Sequence, residues 1–423
     1  MKKKEMNGLN ISGTGRKQID IFKTLKKIDN SVEIIKNSTF SNIKEWIPTG
    51  VYILNACLSG DIYKGIPSGR EITLAGPSGC GKSYLACSIA REAQKMGYTP
   101  FYLDSEGAID SDFVERLGCD PEKFIIKEVN TIKEVTTEII NMCSALQEQV
   151  DAGNEPPKII LVLDSLGQLT SDKEKSDAMS GNYVADFTKA KDTKALFRVC
   201  IQPLSRLQIP FIVTNHVYSN IGSFMGGNVM SNGSGIQYAG SVTLQMSAAK
   251  LVDKENDKAA ARTQGSETVK RNGVLISATP DKSRFCIAHK VKFQIPYYKK
   301  PNPYVGLEAY LTWENAGIMM GKCLNEEEYG KLSPAEQKEC KPFNFNDKKL
   351  YAQPKNQARP GVGMVCKHLG MCVPFNEFWS DKVFTPEFLD YINENVIHPL
   401  FRLPDQSSDN DIKELEKEIN HQL

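Results

Sequence analysis

Eight residues, Gly76-Pro-Ser-Gly-Cys-Gly-Lys-Ser83, restrict this chain more than any other stretch of it. They follow an apolar run at 72–75 and precede a helical pattern, Tyr84-Leu-Ala-Cys-Ser-Ile-Ala-Arg-Glu-Ala. The spacing is that of a phosphate-binding loop set between a strand and a helix. Its glycines let successive backbone N–H groups turn inward around a polyphosphate, so Gly76, Pro77, Ser78, Gly79, Cys80 and Gly81 form a cradle. Lys82 reaches the outer phosphates, Ser83 offers its hydroxyl to Mg2+, and the helix presents its positive end to the anion. A chain built around this element is an α/β nucleoside triphosphatase.

With 423 residues the chain can bury a full α/β core and at least one appended domain. A net charge of +1 gives no general attraction to nucleic acid, so any such contact must use a local patch. The eleven cysteines follow no regular spacing, no leader-like segment follows the basic start, and no apolar run nears the ~18 residues of a membrane span. These features predict a reduced, cytoplasmic protein.

Four domains are expected: a tail and docking segment at 1–47, a core at 48–317, a small α+β domain at 318–404 and an acidic tail at 405–423. Residues 16–46 carry helical periodicity and then a strand-like Val32-Glu-Ile-Ile. In the core, apolar strands alternate with helical patterns, which predicts a mostly parallel sheet. Four of these strands, at 72–75, 100–103, 159–163 and 211–214, hand over to polar residues at their C-terminal ends. Open α/β sheets bind ligands along that edge. Asp164 ends the third run and is placed to hold Mg2+ or its water shell, in the manner of a Walker B aspartate. Glu106 follows the strand after the phosphate loop, where a carboxylate can orient or activate the attacking water.

Here the residues carry a family likeness. Gly76 to Ser83, Asp104-Ser-Glu-Gly-Ala-Ile-Asp110, Phe113, Leu117-Gly118 and Leu161-Val-Leu-Asp-Ser165 fall in the order and register that resembles RecA-type recombinases. Further segments resemble the phage branch of that family: Leu163-Asp-Ser-Leu-Gly-Gln-Leu169, Lys194-Ala-Leu-Phe-Arg198, Asn215-His-Val-Tyr218, Asp281-Lys-Ser-Arg284 and Asn302-Pro-Tyr-Val-Gly-Leu307. The resemblance covers roughly 45–315 and implies a RecA-like ATPase core, a short N-terminal oligomerisation segment, and ATP with Mg2+ as cofactors. It implies Glu106 as the catalytic carboxylate, Asp110 and Phe113 against adenine, and His216 as the sensor of the γ-phosphate. Lys282 and Arg284 would reach the neighbouring subunit's ATP.

Residues 217–249 contain no charged residue and are rich in glycine, which reads as a mobile loop after the sensor strand. The segment resembles the family's second DNA-binding loop, with Phe224, Met225, Gly226, Gly227, Asn228 and Val229 at its centre. The positive charge lies elsewhere: Lys189, Lys191, Lys194 and Arg198 sit on a predicted helix, and Lys191 and Arg198 share a face. The first loop, at 171–183, carries acids as well as bases, so its charge does not mark it for phosphate contacts. Cys323, Cys340, Cys366, His368 and Cys372 have no standard zinc spacing, and the cysteines read as structural or incidental thiols.

The expectation is an ATP-dependent recombinase that forms helical filaments on single-stranded DNA, pairs it with homologous duplex, and works with a single-strand-binding protein and a loader. The alternative is a hexameric RecA-fold helicase or motor.

Overall fold

A computed structural model describes residues 20–29, 32–38, 41–156, 158–181, 188–219, 228–230, 240–251, 273–297, 300–359 and 361–404. They belong to two units, Met1–Asn42 and Ile43–Leu423. In the first, α1 (Ile21–Ile28) starts on Asp20, whose carboxylate accepts from the Lys23 N–H at 3.1 Å. The strand expected at 32–35 does not form. The Asn42 amide donates to the carbonyls of Ile35 and Lys36, at 3.2 and 3.1 Å, and residues Ile35–Asn37 close into a 3-10 turn.

The second unit opens with the ribbon of β1 (Trp46–Ile47) and β2 (Ile66–Pro67), separated by the buried helix α2 (Tyr52–Ser59). The expected alternation follows. β3 (Glu71–Gly76) leads into α3 (Lys82–Lys95), then β4 (Thr99–Asp104), α4 (Ser111–Arg116) and β5 (Ile125–Glu128). After these come α5 (Ile132–Asp151), β6 (Ile159–Asp164), α6 (Asp172–Ser180), α7 (Thr188–Arg206) and β7 (Phe211–Ser219). α5 has the stripe that a sheet-covering helix needs, with Ile132, Val135, Ile139 and Cys143 buried and its first turn capped by Thr131.

Beyond β7 the chain stops alternating with helices and forms β8 (Asn228–Met230), β9 (Val242–Leu251), β10 (Gly273–Lys282) and β11 (Val291–Pro296). Among the described residues the main sheet runs β11-β10-β9-β3-β7-β6-β4-β5, with β8 paired to β7. It is parallel from β5 to β9 and antiparallel across β9–β10 and β10–β11. This corrects one expectation. The uncharged segment 217–249 is not loop throughout: its ends belong to β7 and β9, and Val242, Leu244 and Met246 are buried beside β3. At these positions the lack of charge reflects burial.

Alternate residues of the central strands feed two cores. Ile72 and Leu74 of β3 with Ile160 and Val162 of β6 join the core that Leu85, Ile89 and Ala93 of α3 enter. Leu161, Leu163, Phe211 and Val213 join a second core with α5 and with Leu196, Phe197 and Leu204 of α7. The sheet is thus held rigid on both faces, and its C-terminal edge is left to carry polar groups.

Residues 318–404 contain an antiparallel sheet of β12 (Ile318–Leu324), β13 (Lys341–Phe345), β14 (Lys348–Pro354), β15 (Gly363–Cys366) and β16 (Met371–Val373), in the order β13-β14-β12-β15-β16. Short helices follow it. Phe378, Ile397 and Phe401 of these helices, and Phe384 between them, enter the same core as Ile47, Ile53 and Leu58.

Candidate nucleotide site

The strand ends meet in register. Gly76, which opens the phosphate loop, lies opposite His216, and Asp104 lies opposite Asp164. Within the loop Gly79 and Gly81 have φ of +74° and +81°, the left-handed region that glycine enters freely. A Cβ at Gly79 meets nothing within 4 Å, while one at Gly81 comes within 2.6 Å of Ile295 Cδ1. Lys82, 6% exposed, opens α3 and donates to the carbonyls of Gly76 and Pro77, both at 3.0 Å. Its charge is thereby held at the loop mouth. Gly81→Ala is expected to cost about 1–2 kcal/mol of stability from the left-handed backbone alone. It should also weaken nucleotide binding, and thermal unfolding with nucleotide titration reads the two effects separately.

Asp164 is 1% exposed at the end of β6. Its Oδ2 accepts from the Tyr102 hydroxyl at 2.5 Å and its Oδ1 from the Thr214 hydroxyl. Both oxygens are thus oriented, leaving lone pairs on the cleft side for a hydrated cation. Ser83 lines the same cleft, and a hydroxyl with a fixed carboxylate suits the hard, water-retaining chemistry of Mg2+.

Glu106 stands on a turn that Asp104 builds: Asp104 Oδ1 accepts the N–H groups of Glu106 and Gly107, both at 2.9 Å. The Ser165 hydroxyl donates to Glu106 Oε1 at 2.5 Å, and His216 Nε2 lies 2.8 Å from the same oxygen. Partial burial pushes this carboxyl up. The bonds from Ser165 and His216, with the charges of His216 and Lys82, more than offset that and hold it below the usual glutamate range. The group is a carboxylate at neutral pH, as a base must be.

These groups line one cleft of about 330 Å³ with Ser78, Gly79, Gly81 and Phe113. Cys80 is fully buried beneath the loop. Asp110 does not line the cleft; it caps α4, accepting from the Phe113 N–H at 2.7 Å. Sequence reasoning missed the far wall, made by Val274, Ile295 and Tyr297 from β10, β11 and the residue after it. The apolar alternation Val291-Lys-Phe-Gln-Ile-Pro was the available signal, but nothing in it indicates that β11 lies against the phosphate loop.

Lys282 and Arg284 are not brought to this cleft. Lys282 pairs with Thr243 of β9, itself opposite Thr73 of β3, and its charge acts on Glu71, the first residue of β3. Glu71 and Gly76 are about 16 Å apart along the strand. Lys191, Lys194 and Arg198 are exposed on one side of α7, opposite the buried Leu196, Phe197 and Cys200. Residues Phe224, Met225, Gly226 and Gly227 lie outside the described residues, whereas Asn228 and Val229 belong to β8. β8 pairs with Val217, Tyr218 and Ser219, directly beyond His216.

Among the described residues no group of three or more His, Cys, Asp or Glu side chains could by itself hold a metal ion. His368 stacks on Phe388 and reaches the Val383 carbonyl at 2.9 Å, and Cys340 donates to the Glu336 carbonyl. No described helix is long and apolar enough to cross a membrane.

The family model of the RecA N-terminal domain matches residues 20–278. The chain is 31% identical over 272 residues to the recombination and repair protein of Enterobacteria phage T4, covering 64% of each. It is 26% identical over 221 residues to the RecA protein of Paenarthrobacter aurescens, 52% of this chain and 59% of that one. With the RecA protein of Legionella pneumophila the figures are 27% over 217 residues, 51% and 58%. The match therefore spans less than two thirds of each relative's length.

Proposed function

We infer from this site, in a chain that belongs to the RecA family, that the protein is an ATP-dependent DNA recombinase. The observation that carries the reading is the convergence of Lys82, Asp164 and the Glu106–His216 pair on one cleft at the sheet edge. The loop N–H groups and Lys82 would grip the phosphates of ATP. Ser83 and Asp164 would hold Mg2+, which when bound neutralises charge on the transferred phosphoryl group. Glu106 would orient a water and accept its proton. Ser165 and Asp104 fix the carboxylate, and the loop and Lys82 take the charge that develops.

His216 ties this chemistry to DNA. It holds Glu106 on one side, and the strand that bears it continues into the β7–β8 pairing at the start of the uncharged segment. Lys191 and Arg198 on α7 would supply the phosphate contacts that this segment lacks. The assembly we propose is a helical filament on single-stranded DNA that tests homologous duplex and exchanges strands. Residues 16–46 would dock onto the next subunit, Lys282 and Arg284 would complete the neighbour's site, and a single-strand-binding protein and a loader would act with it. The small domain at 318–404 would be accessory.

The test is ATP hydrolysis without DNA, with single strands and with duplex, each across a salt series. Single-strand stimulation that fades with salt is expected. Lys191→Ala with Arg198→Ala should flatten the slope of log affinity against log salt by about 1.4, at ~0.7 per lost phosphate contact. Equal hydrolysis in all three mixtures would remove the DNA part of the reading and leave an ATPase.

A further inference from the structure

The N-terminal edge of the sheet holds a buried carboxyl that the nucleotide cleft does not use. Glu71 is 3% exposed. Its Oε1 accepts from the Thr73 hydroxyl at 2.5 Å, and its Oε2 has no hydrogen-bond partner among the described residues. Such a group costs stability unless it is neutral or a cation stands near it.

The cation is placed there by a fault in the ladder. β9 and β10 pair regularly from Gly273 to Pro280, then the register slips by one residue, so that Lys282 and not Asp281 lies opposite Thr243. Thr243 lies opposite Thr73. Opposed residues share a sheet face, so the bulge turns Lys282 onto the face of Thr73 and Glu71. An unbroken ladder would put Asp281 there, one carboxylate towards another. Asp281 instead accepts from the Gln245 amide at 2.9 Å.

The remaining neighbours do not satisfy Glu71. β7 sets Phe211 and Val213 opposite Glu71 and Thr73, and neither titrates. Arg70 donates to the Gly69 carbonyl and to the Ser205 hydroxyl at the end of α7. Arg284 is felt by both Arg70 and Lys282, like charge on like.

We propose that Glu71 is a positioning residue for Lys282: in its ionised form it holds the ammonium against the sheet, and it must take up a solvent proton for the cation to swing to a neighbouring subunit's nucleotide. The inference rests on the reading of Lys282 as a cation acting in trans. Burial pushes the Glu71 carboxyl up to about 8, while the Thr73 bond and Lys282 act the other way. Departure of Lys282 removes one of those opposing influences and raises the carboxyl further. Assembly is then favoured below pH 8 and weakens above it, where ionised Glu71 retains the cation.

The experiment follows ATP-triggered assembly on single-stranded DNA by light scattering from pH 7 to 9, with proton uptake read by an indicator dye in weak buffer. The wild-type affinity should fall with pH, by at most about tenfold per unit for one linked proton. Glu71→Gln should assemble, lose that decline and take up fewer protons. Thr73→Val removes the bond that favours the ionised form and should move the decline to higher pH; it also carries the test if Glu71→Gln fails to fold. Burial and then Arg284 draw the Lys282 ammonium down from the usual lysine range, so its own titration could mimic the decline. That decline would survive in Glu71→Gln, and its survival, or an unmoved midpoint in Thr73→Val, overturns the proposal. Lys282→Ala that assembles and hydrolyses like wild type would overturn the trans reading itself.

Discussion

Glu106→Gln should bind ATP and assemble on DNA while hydrolysing the nucleotide about 10²–10⁴ times more slowly, the range general-base catalysis supplies. The substitution is nearly isosteric. Its amide oxygen can still accept from Ser165, so the Asp104 turn and the contact with the β6 end should survive. What disappears is the negative charge that Ser165, His216 and Lys82 hold ionised at neutral pH. The loss should therefore fall on kcat, with KM for ATP little changed. A second variant separates charge from position. Asp104→Asn weakens the acceptor that fixes the N–H groups of Glu106 and Gly107, leaving the carboxylate charged but less constrained. It should lower kcat less than Glu106→Gln does. Wild-type turnover by Glu106→Gln would remove Glu106 from the chemistry.

How Glu106 reaches the cleft shows what sequence can and cannot reveal. The phosphate loop and the polar residues ending four apolar runs were legible because each is a local pattern: a buried strand has no other way to present chemistry than at its end. The order of the strands is not local. β4 follows β3 in sequence but lies three places from it, beyond β7 and β6, so the carboxylate arrives across two intervening strand ends, one bearing His216 and the other Asp164. The partnership of Glu106 with Ser165 and His216 depends on that order and was invisible in the chain. So was the wall of Val274, Ile295 and Tyr297, which comes from an antiparallel extension where continued alternation with helices was expected. The bulge at Pro280 is a single-residue slip with no composition of its own, yet it decides whether an acid or a base faces Glu71.

Arg284→Ala should lose DNA-stimulated hydrolysis by about 10³-fold or more, the scale of a cation withdrawn from a phosphoryl-transfer site. The geometry makes this a demanding prediction, because Arg284 stands with Arg70 and Lys282 at the opposite end of β3 from the phosphate loop. Within one chain the side chain cannot span that distance, so any effect on chemistry must pass to another subunit through a head-to-tail contact. Mixing tests this directly. Arg284→Ala subunits keep an intact phosphate loop, and Lys82→Ala subunits keep an intact Arg284. Each is inactive alone, but an interface that pairs the loop of the first with the cation of the second is complete. Random assembly of equal amounts places about one interface in four in that arrangement, so a measurable fraction of hydrolysis should return. Recovery rising with the share of Lys82→Ala to an optimum near equal mixing would mark shared sites. No recovery at any ratio, with both variants folded and co-assembled, would restrict Arg284 to its own subunit and leave its effect to packing at the edge of the sheet.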